Sequence, residues 1–315
     1  MVKYLTKRAV ALLAIVVAVS VGAFFLVHIL PGDPTVTILG PNDNPTNRAI
    51  LLHQLGLDKP LYQQYFIWIA HFIEGNLGQS FTTHETTLSI ISHAYPIDLE
   101  LIVISQIIAF PVAITLALLA ARHPTKAVDR YSTAITFAML ALPSFVVAPL
   151  LVLLLSIHLH LFPGPGAYVP ISTNLWTNLH VMILPAIVLS LGSIAVYYRL
   201  LRNDLIATLQ QDFIVMARSK GLSDRRILLR HALRPSSISF LASAGVNIGT
   251  LIAGTFVVEY LLQLPGLGYQ LVVSIEQSDY VVVQSIVLVV AVAVVAINFI
   301  VDFLFTVVDP RIARE

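Results

Sequence analysis

The chain has 315 residues, 57% of them hydrophobic and only 11% charged, where an ordinary soluble domain carries about a quarter charged. It has no cysteine, which excludes disulfides, thiolate metal sites and thiol nucleophiles. A net charge of +1 and a mean hydropathy of +0.86 point to an integral membrane protein, in which the placement of charges matters more than their sum.

Charge-free windows at 9–30, 101–121, 235–258 and 280–301 each reach the roughly 20 residues that a helix needs to cross the hydrocarbon. Between Arg130 and Arg199 no Asp, Glu, Lys or Arg occurs. HLHLFPGPGAYVPISTNLWTN (158–178) breaks that run, leaving spans near 133–157 and 180–198. The expectation is six spans. The first follows Lys3, Lys7 and Arg8 like a signal peptide, but its apolar core is too long and PGDP stands where small cleavage residues belong, so it is expected to stay. Pro111, Pro143, Pro149 and Pro185 fall within spans and read as bends.

Sixteen of the eighteen Lys and Arg residues fall on one face of this map, at the N-terminus, in the second-to-third loop, in 199–234 and in the tail; only Arg48 and Lys59 fall on the other. By the positive-inside rule both termini are expected in the cytoplasm. Segment 31–98 is then outside, with helix-compatible pieces at 46–55 and 61–73, and reads as a small ordered lid over the outer mouth. Segment 259–279, broken by Pro265-Gly266-Leu267-Gly268, reads as an outer interfacial helix and turn, with a re-entrant loop as the alternative.

The basic stretch QDFIVMARSKGLSDRRILLRHALRPS (211–236) holds six of the eighteen cations between two spans. Residues 211–220 read as a helix that Gly221 can end in a left-handed cap. Ser223 can cap a second helix, with Asp224 in its first turn. The product is a cytoplasmic helix–turn–helix bracket, and Ala217 and Gly221, four apart, form a small-residue notch that another protein could approach. Enforcing topology and binding anionic lipid are the competing readings. DNA binding is disfavoured by tethering between spans.

ARSKGLSDRRILLRHALRP resembles the cytoplasmic loop of binding-protein-dependent ABC importer permeases, specifically the dipeptide/oligopeptide and nickel class. YLTKR, LPGDP (30–34), QLGLDKPLYQQYFIW (54–68), GNLGQSF (75–81), ALPSF (141–145), VVE (257–259), PGLG (265–268) and VDPRI (308–312) match in order. The LPGDP start resembles the first, B-type, of two permease subunits. The resemblance implies an all-α polytopic permease fold: a cytoplasmic N-terminus and first helix over 1–30, an extracytoplasmic insert over 31–97, and a permease domain over 98–315 with a coupling loop at 203–235.

It further implies a sister permease, two ATPase subunits or a fused ATPase, and an extracytoplasmic substrate-binding protein, with ATP and Mg held by the ATPases and no cofactor or nucleic acid on this chain. The expected ATPase-coupling residues are Asp212, Ala217, Arg218, Lys220, Gly221, Leu222, Ser223, Arg226 and His231. Gly245, Gly249 and Gly254 are candidates for helix packing or the path, and Asp33, Glu259, Pro265, Gly266 and Gly268 for the outer gate or lid. Val215 and Met216 stand where the general importer pattern has Glu-Ala, so an acidic contact transfers only to Asp212.

No G-x-x-x-x-G-K-[ST] loop occurs, so energy for active transport must come from a partner. An ion-coupled transporter is the rival, with Asp302 as its one acid well inside an apolar stretch; interfacial solvation, or pairing with Arg311 or Arg314, is the plainer reading. An intramembrane zinc protease fails because Leu88 replaces the second histidine of the string begun by His84-Glu85. His158, His160 and His180 invite a metal reading but suit solvated loop histidines better.

Overall fold

The computed structural model describes residues 2–29, 39, 44–54 and 58–308. Among them the protein is all-α; the one strand-like feature is an isolated bridge between Gln79 and Thr86. The helices are α1 (Val2–Ile29), α2 (Pro45–Gln54), α3 (Leu61–Ile73), α4 (Thr87–Arg122), α5 (Ala127–Ala141), α6 (Ser144–His158), α7 (Leu175–Leu209), α8 (Asp212–Ser219), α9 (Asp224–Leu262), α10 (Leu267–Glu276) and α11 (Tyr280–Val308).

Four of these, α4, α7, α9 and the Tyr280–Phe303 part of α11, are long and apolar enough to cross a membrane, or five if the α5–α6 pair counts as one span. In α1 the apolar stretch with described side chains is the shorter Ala9–Phe25. The expected span near 133–157 is not a straight rod: α5 and α6 meet at 101°. The cause is local. Pro143 forces the preceding residue out of the helical region, and Leu142 sits at φ −88°, ψ 117°. Pro149 lies inside α6, whose last turns, Val152–His158, widen into a π-helix. Pro111 and Pro185 interrupt neither α4 nor α7.

The chain divides into two compact units. One comprises residues 1–97 with 265–315; the other is 98–264. In the first, α1 packs on α11 and on α3, and α10 packs on α11. GNLGQSF is bound to the start of α11: the buried Asp279 carboxylate accepts hydrogen bonds from the Ser80 and Thr82 hydroxyls, and the Ser285 hydroxyl donates to the Leu77 carbonyl. Gly78, at φ +81°, lies so near Val281 that a Cβ there would meet its Cγ1 at 2.8 Å.

In the second unit α9 packs on α7 and α6, and α5 packs on α7. Asn174 caps α7, its side chain accepting from the Thr177 amide. One apolar cluster joins Ala109, Ala113 and Ala117 of α4, Tyr197, Leu201 and Leu205 of α7, Ile214 and Ala217 of α8, and Ile227 and Phe240 of α9. Small alanines on α4 let the tyrosines of α7 come close. The network beside it, in which Tyr197 donates to Gln106 (2.7 Å) and Asn247 donates to Ser193 (2.8 Å) and Tyr197 (3.0 Å), satisfies polar groups that lipid could not.

Candidate functional site: the bracket between α7 and α9

The bracket forms close to where sequence placed it. α8 runs from Asp212 to Ser219, Gly221 adopts φ +74°, and its amide bonds the Arg218 carbonyl at 2.9 Å. Asp224 stands in the first turn of α9. Two expectations fail. Ser223 has cap backbone angles but its side chain makes no cap hydrogen bond. Ala217 is buried in the apolar cluster, so only the Gly221 half of the expected notch faces outward, with no atom within 4 Å of where its Cβ would be. The large apolar residues that α8 leaves exposed are instead Phe213, Val215 and Met216. Burial of Ile214 and Ala217 fixes α8 on the unit and turns those three outward.

Of the other expected coupling residues, Asp212, Arg218, Lys220, Ser223 and Arg226 are exposed, whereas Leu222 and His231 are half-buried. Arg218 and Asp224 approach to 3.7 Å across the Gly221 turn, an exposed pair that contributes little. Ile227–Ala232 of α9 winds as a π-helix just before Pro235, whose ring would crowd the carbonyl four residues back in a regular α-helix. Behind the bracket lies a cavity of about 380 Å³, with Ile206, Leu209, Ile227 and Leu228 as apolar lining and Arg122 and Arg218 at its charged edge.

Above the bracket a clamp joins α7 to α5. The Arg202 guanidinium grips the buried Asp129 carboxylate through Nε and through Nη2 (2.7 Å), and the Thr125 amide donates to the same carboxylate at 2.9 Å. Thr133 and Tyr198 hydroxyls, 2.9 Å apart, extend the link. Charge counting treated Arg202 as a topology signal and gave Asp129 no role, because nothing in one sequence relates positions so far apart.

Gly245 and Gly249 are buried inside the unit, and a Cβ on Gly254 would meet Leu189 of α7 at 3.4 Å, so these glycines pack helices. Asp33 lies outside the described residues, as do Arg311 and Arg314, which were to pair with Asp302. Glu259 is fully buried near the end of α9, which Gln263 closes in a left-handed cap. In the other unit Gly266 caps α10 and Gly268 is buried in it, with Pro265 half-buried before them. His158 Nδ1 bonds the Leu153 carbonyl within α6 (2.8 Å) and His180 Nε2 the Leu161 carbonyl of the following loop (2.7 Å), so both are engaged with backbone. In the same loop, burial and the neighbouring Glu100 carboxylate push the Tyr168 phenol up to about 12.

Residues 113–314 match the family described as binding-protein-dependent transport system inner membrane component, and residues 1–102 match its N-terminal companion family. The chain belongs to this family of inner membrane transport components. Among relatives, a dipeptide transport system permease protein, DppB, of Lactococcus lactis subsp. cremoris is 33% identical over 313 residues, covering 99% of both chains. The oligopeptide transport system permease protein AppB of Bacillus subtilis is 33% identical over 314 residues, again 99% of both. A dipeptide permease DppB of Escherichia coli is 32% identical over 338 residues and covers each chain fully. The bracket lies between two helices, α7 and α9, each long and apolar enough to cross a membrane.

Proposed function

We propose that this chain is one of two permease subunits forming the translocation path of an ATP-driven importer of short peptides. The observation that carries this reading is the correspondence with dipeptide and oligopeptide permeases, 33% identical over 99% of both chains. In this reading both termini and the bracket are cytoplasmic, α1 and the bent α5–α6 pair complete six spans, and a soluble binding protein delivers peptide from outside. ATP binds and is hydrolysed on partner subunits that contact Phe213, Met216 and Gly221. Movement of those subunits displaces the bracket and switches the path between inward- and outward-facing.

Reconstituting the chain with its sister permease, ATPases and binding protein in liposomes tests this. ATP-dependent uptake of labelled di- to tetrapeptides, absent when this chain is omitted, is the expected result. Uptake of nickel but no peptide, or proton-driven uptake by this chain alone, would replace the reading.

A further inference from the structure

Helix α3 carries LYQQYFIWIAHFI, thirteen residues without a formal charge, flanked by Lys59 before it and Glu74 after it. At about 20 Å it is too short to cross about 30 Å of hydrocarbon. None of its residues is buried, yet it is not loose. Tyr65 and Trp68 pack on Phe24 of α1 at ring-centroid distances of 5.5 and 6.1 Å, and the Tyr65 phenol lies 2.8 Å from the Ser20 hydroxyl. These contacts fix α3 at the end of the apolar stretch of α1, Ala9–Phe25.

Beside that packed side runs a second apolar stripe, Tyr62, Phe66, Ile69 and Ile73, at the i, i+4, i+7, i+11 spacing of one helical face. Tyr62, Phe66 and Ile73 are 64, 65 and 79% exposed. Gln63, Gln64 and His71 occupy the opposite arc, where the apolar Ile67 is the exception. The helix on which α3 packs is itself apolar on its surface: α1 exposes Val10, Leu13, Val17 and Phe25, as a helix in contact with lipid does. Aromatic residues at the level where a span ends are the side chains that headgroup regions favour.

We propose that α3 lies in the bilayer interface with Tyr62, Phe66, Ile69 and Ile73 seated in the lipid. The helix is thus a membrane float tied to α1 and not part of a lid held in water. The leaflet is the outer one on the orientation proposed above; the seating in lipid does not depend on that orientation.

The chain has no cysteine, so with cysteine-free partner subunits spin labels on Phe66→Cys, Ile73→Cys and the polar-arc control Gln63→Cys are unique sites. The assembled transporter in lipid nanodiscs is probed with oxygen, which partitions into lipid, and with a water-soluble nickel chelate. Labels at 66 and 73 are expected to collide more with oxygen than with nickel, and the label at 63 to show the reverse. Adding the binding protein should change none of the three. Nickel-accessible labels at 66 and 73 would overturn the proposal, as would labels shielded only when the binding protein is added, which would make the stripe a docking face. Lipid-seated labels with Lys59→Cys reachable only from the cytoplasmic side would overturn the orientation and leave the seating intact.

Discussion

Arg202 holds Asp129 across 73 residues of sequence, joining the last turns of α7 before the bracket to the first turn of the bent α5–α6 pair. Asp129 is nearly buried and its carboxylate takes three donors, so neither partner can be removed without stranding the other. Breaking such a pair costs on the order of 3 kcal/mol. Asp129→Ala is expected to lower the melting temperature of the detergent-solubilised protein clearly. Arg202→Lys keeps the charge but loses the two-pronged geometry and should fall between that variant and wild type. Thermal unfolding of matched preparations checks both; an unshifted Asp129→Ala would show the clamp to be dispensable.

The Gly221 turn separates docking from mere topology. Its φ of +74° costs an ordinary L-residue on the order of 1 kcal/mol, but its surroundings are open. Gly221→Asn should therefore be tolerated, whereas Gly221→Asp puts a new charge on the exposed surface. Membrane insertion should be normal in both, while ATPase co-purification and uptake fall in Gly221→Asp alone. Phe213→Ala with Met216→Ala should lose ATPase recovery as well, because these are the large apolar side chains that α8 presents outward. Recovery equal to wild type in all variants would reduce the bracket to a charged linker.

Gly78 is constrained from two directions, by φ +81° and by Val281 at 2.8 Å from a would-be Cβ. A β-branched valine has little freedom to turn aside. Gly78→Ala should be more destabilising than Gly221→Ala, and adding Val281→Ala should restore part of the loss, leaving the backbone cost. Melting temperatures of the single and double variants give the comparison; the absence of any rescue would mean that the backbone angle carries the whole effect.

Tyr168 donates to Glu100 at 3.4 Å, and burial first, then that carboxylate, raises its phenol from 10 to about 12. A raised tyrosine contributes stability that is complete below pH 10, where the phenol is neutral both folded and unfolded, and is lost as pH climbs through about 12. The difference in absorbance at 295 nm between wild type and Tyr168→Phe should accordingly show its step near 12. A step near 10 would place the phenol in ordinary solvent.

Long charge-free apolar windows made α4, α7, α9 and α11 legible, and glycine chemistry located the turn at Gly221. What sequence could not supply was direction. Ala217 and Gly221 read as one notch because spacing alone puts them on the same side, but Ile214 and Ala217 face the apolar cluster and leave Phe213 and Met216 outward. Pro143 read as a bend; its size, 101°, follows from the extended conformation it imposes on Leu142, which composition does not encode. The Arg202–Asp129 clamp and the Tyr197–Gln106–Asn247 network were illegible because partners between helices have no fixed spacing.

Helix α9 runs for 39 residues from the bracket through an entire apolar span, without a loop between them. Beyond the π-helical turns at Ile227–Ala232, Leu233–Leu262 is a regular helix of 30 residues. At 1.5 Å per residue it is about 45 Å long, so a tilt of about 5° at one end sweeps the other through about 4 Å. If a partner subunit pushes the bracket, as in the function proposed above, the bracket is the short arm of a lever whose long arm is the span itself. A push too small to rearrange the bracket's own contacts is magnified at the far end of α9, where Glu259 and the left-handed cap at Gln263 sit.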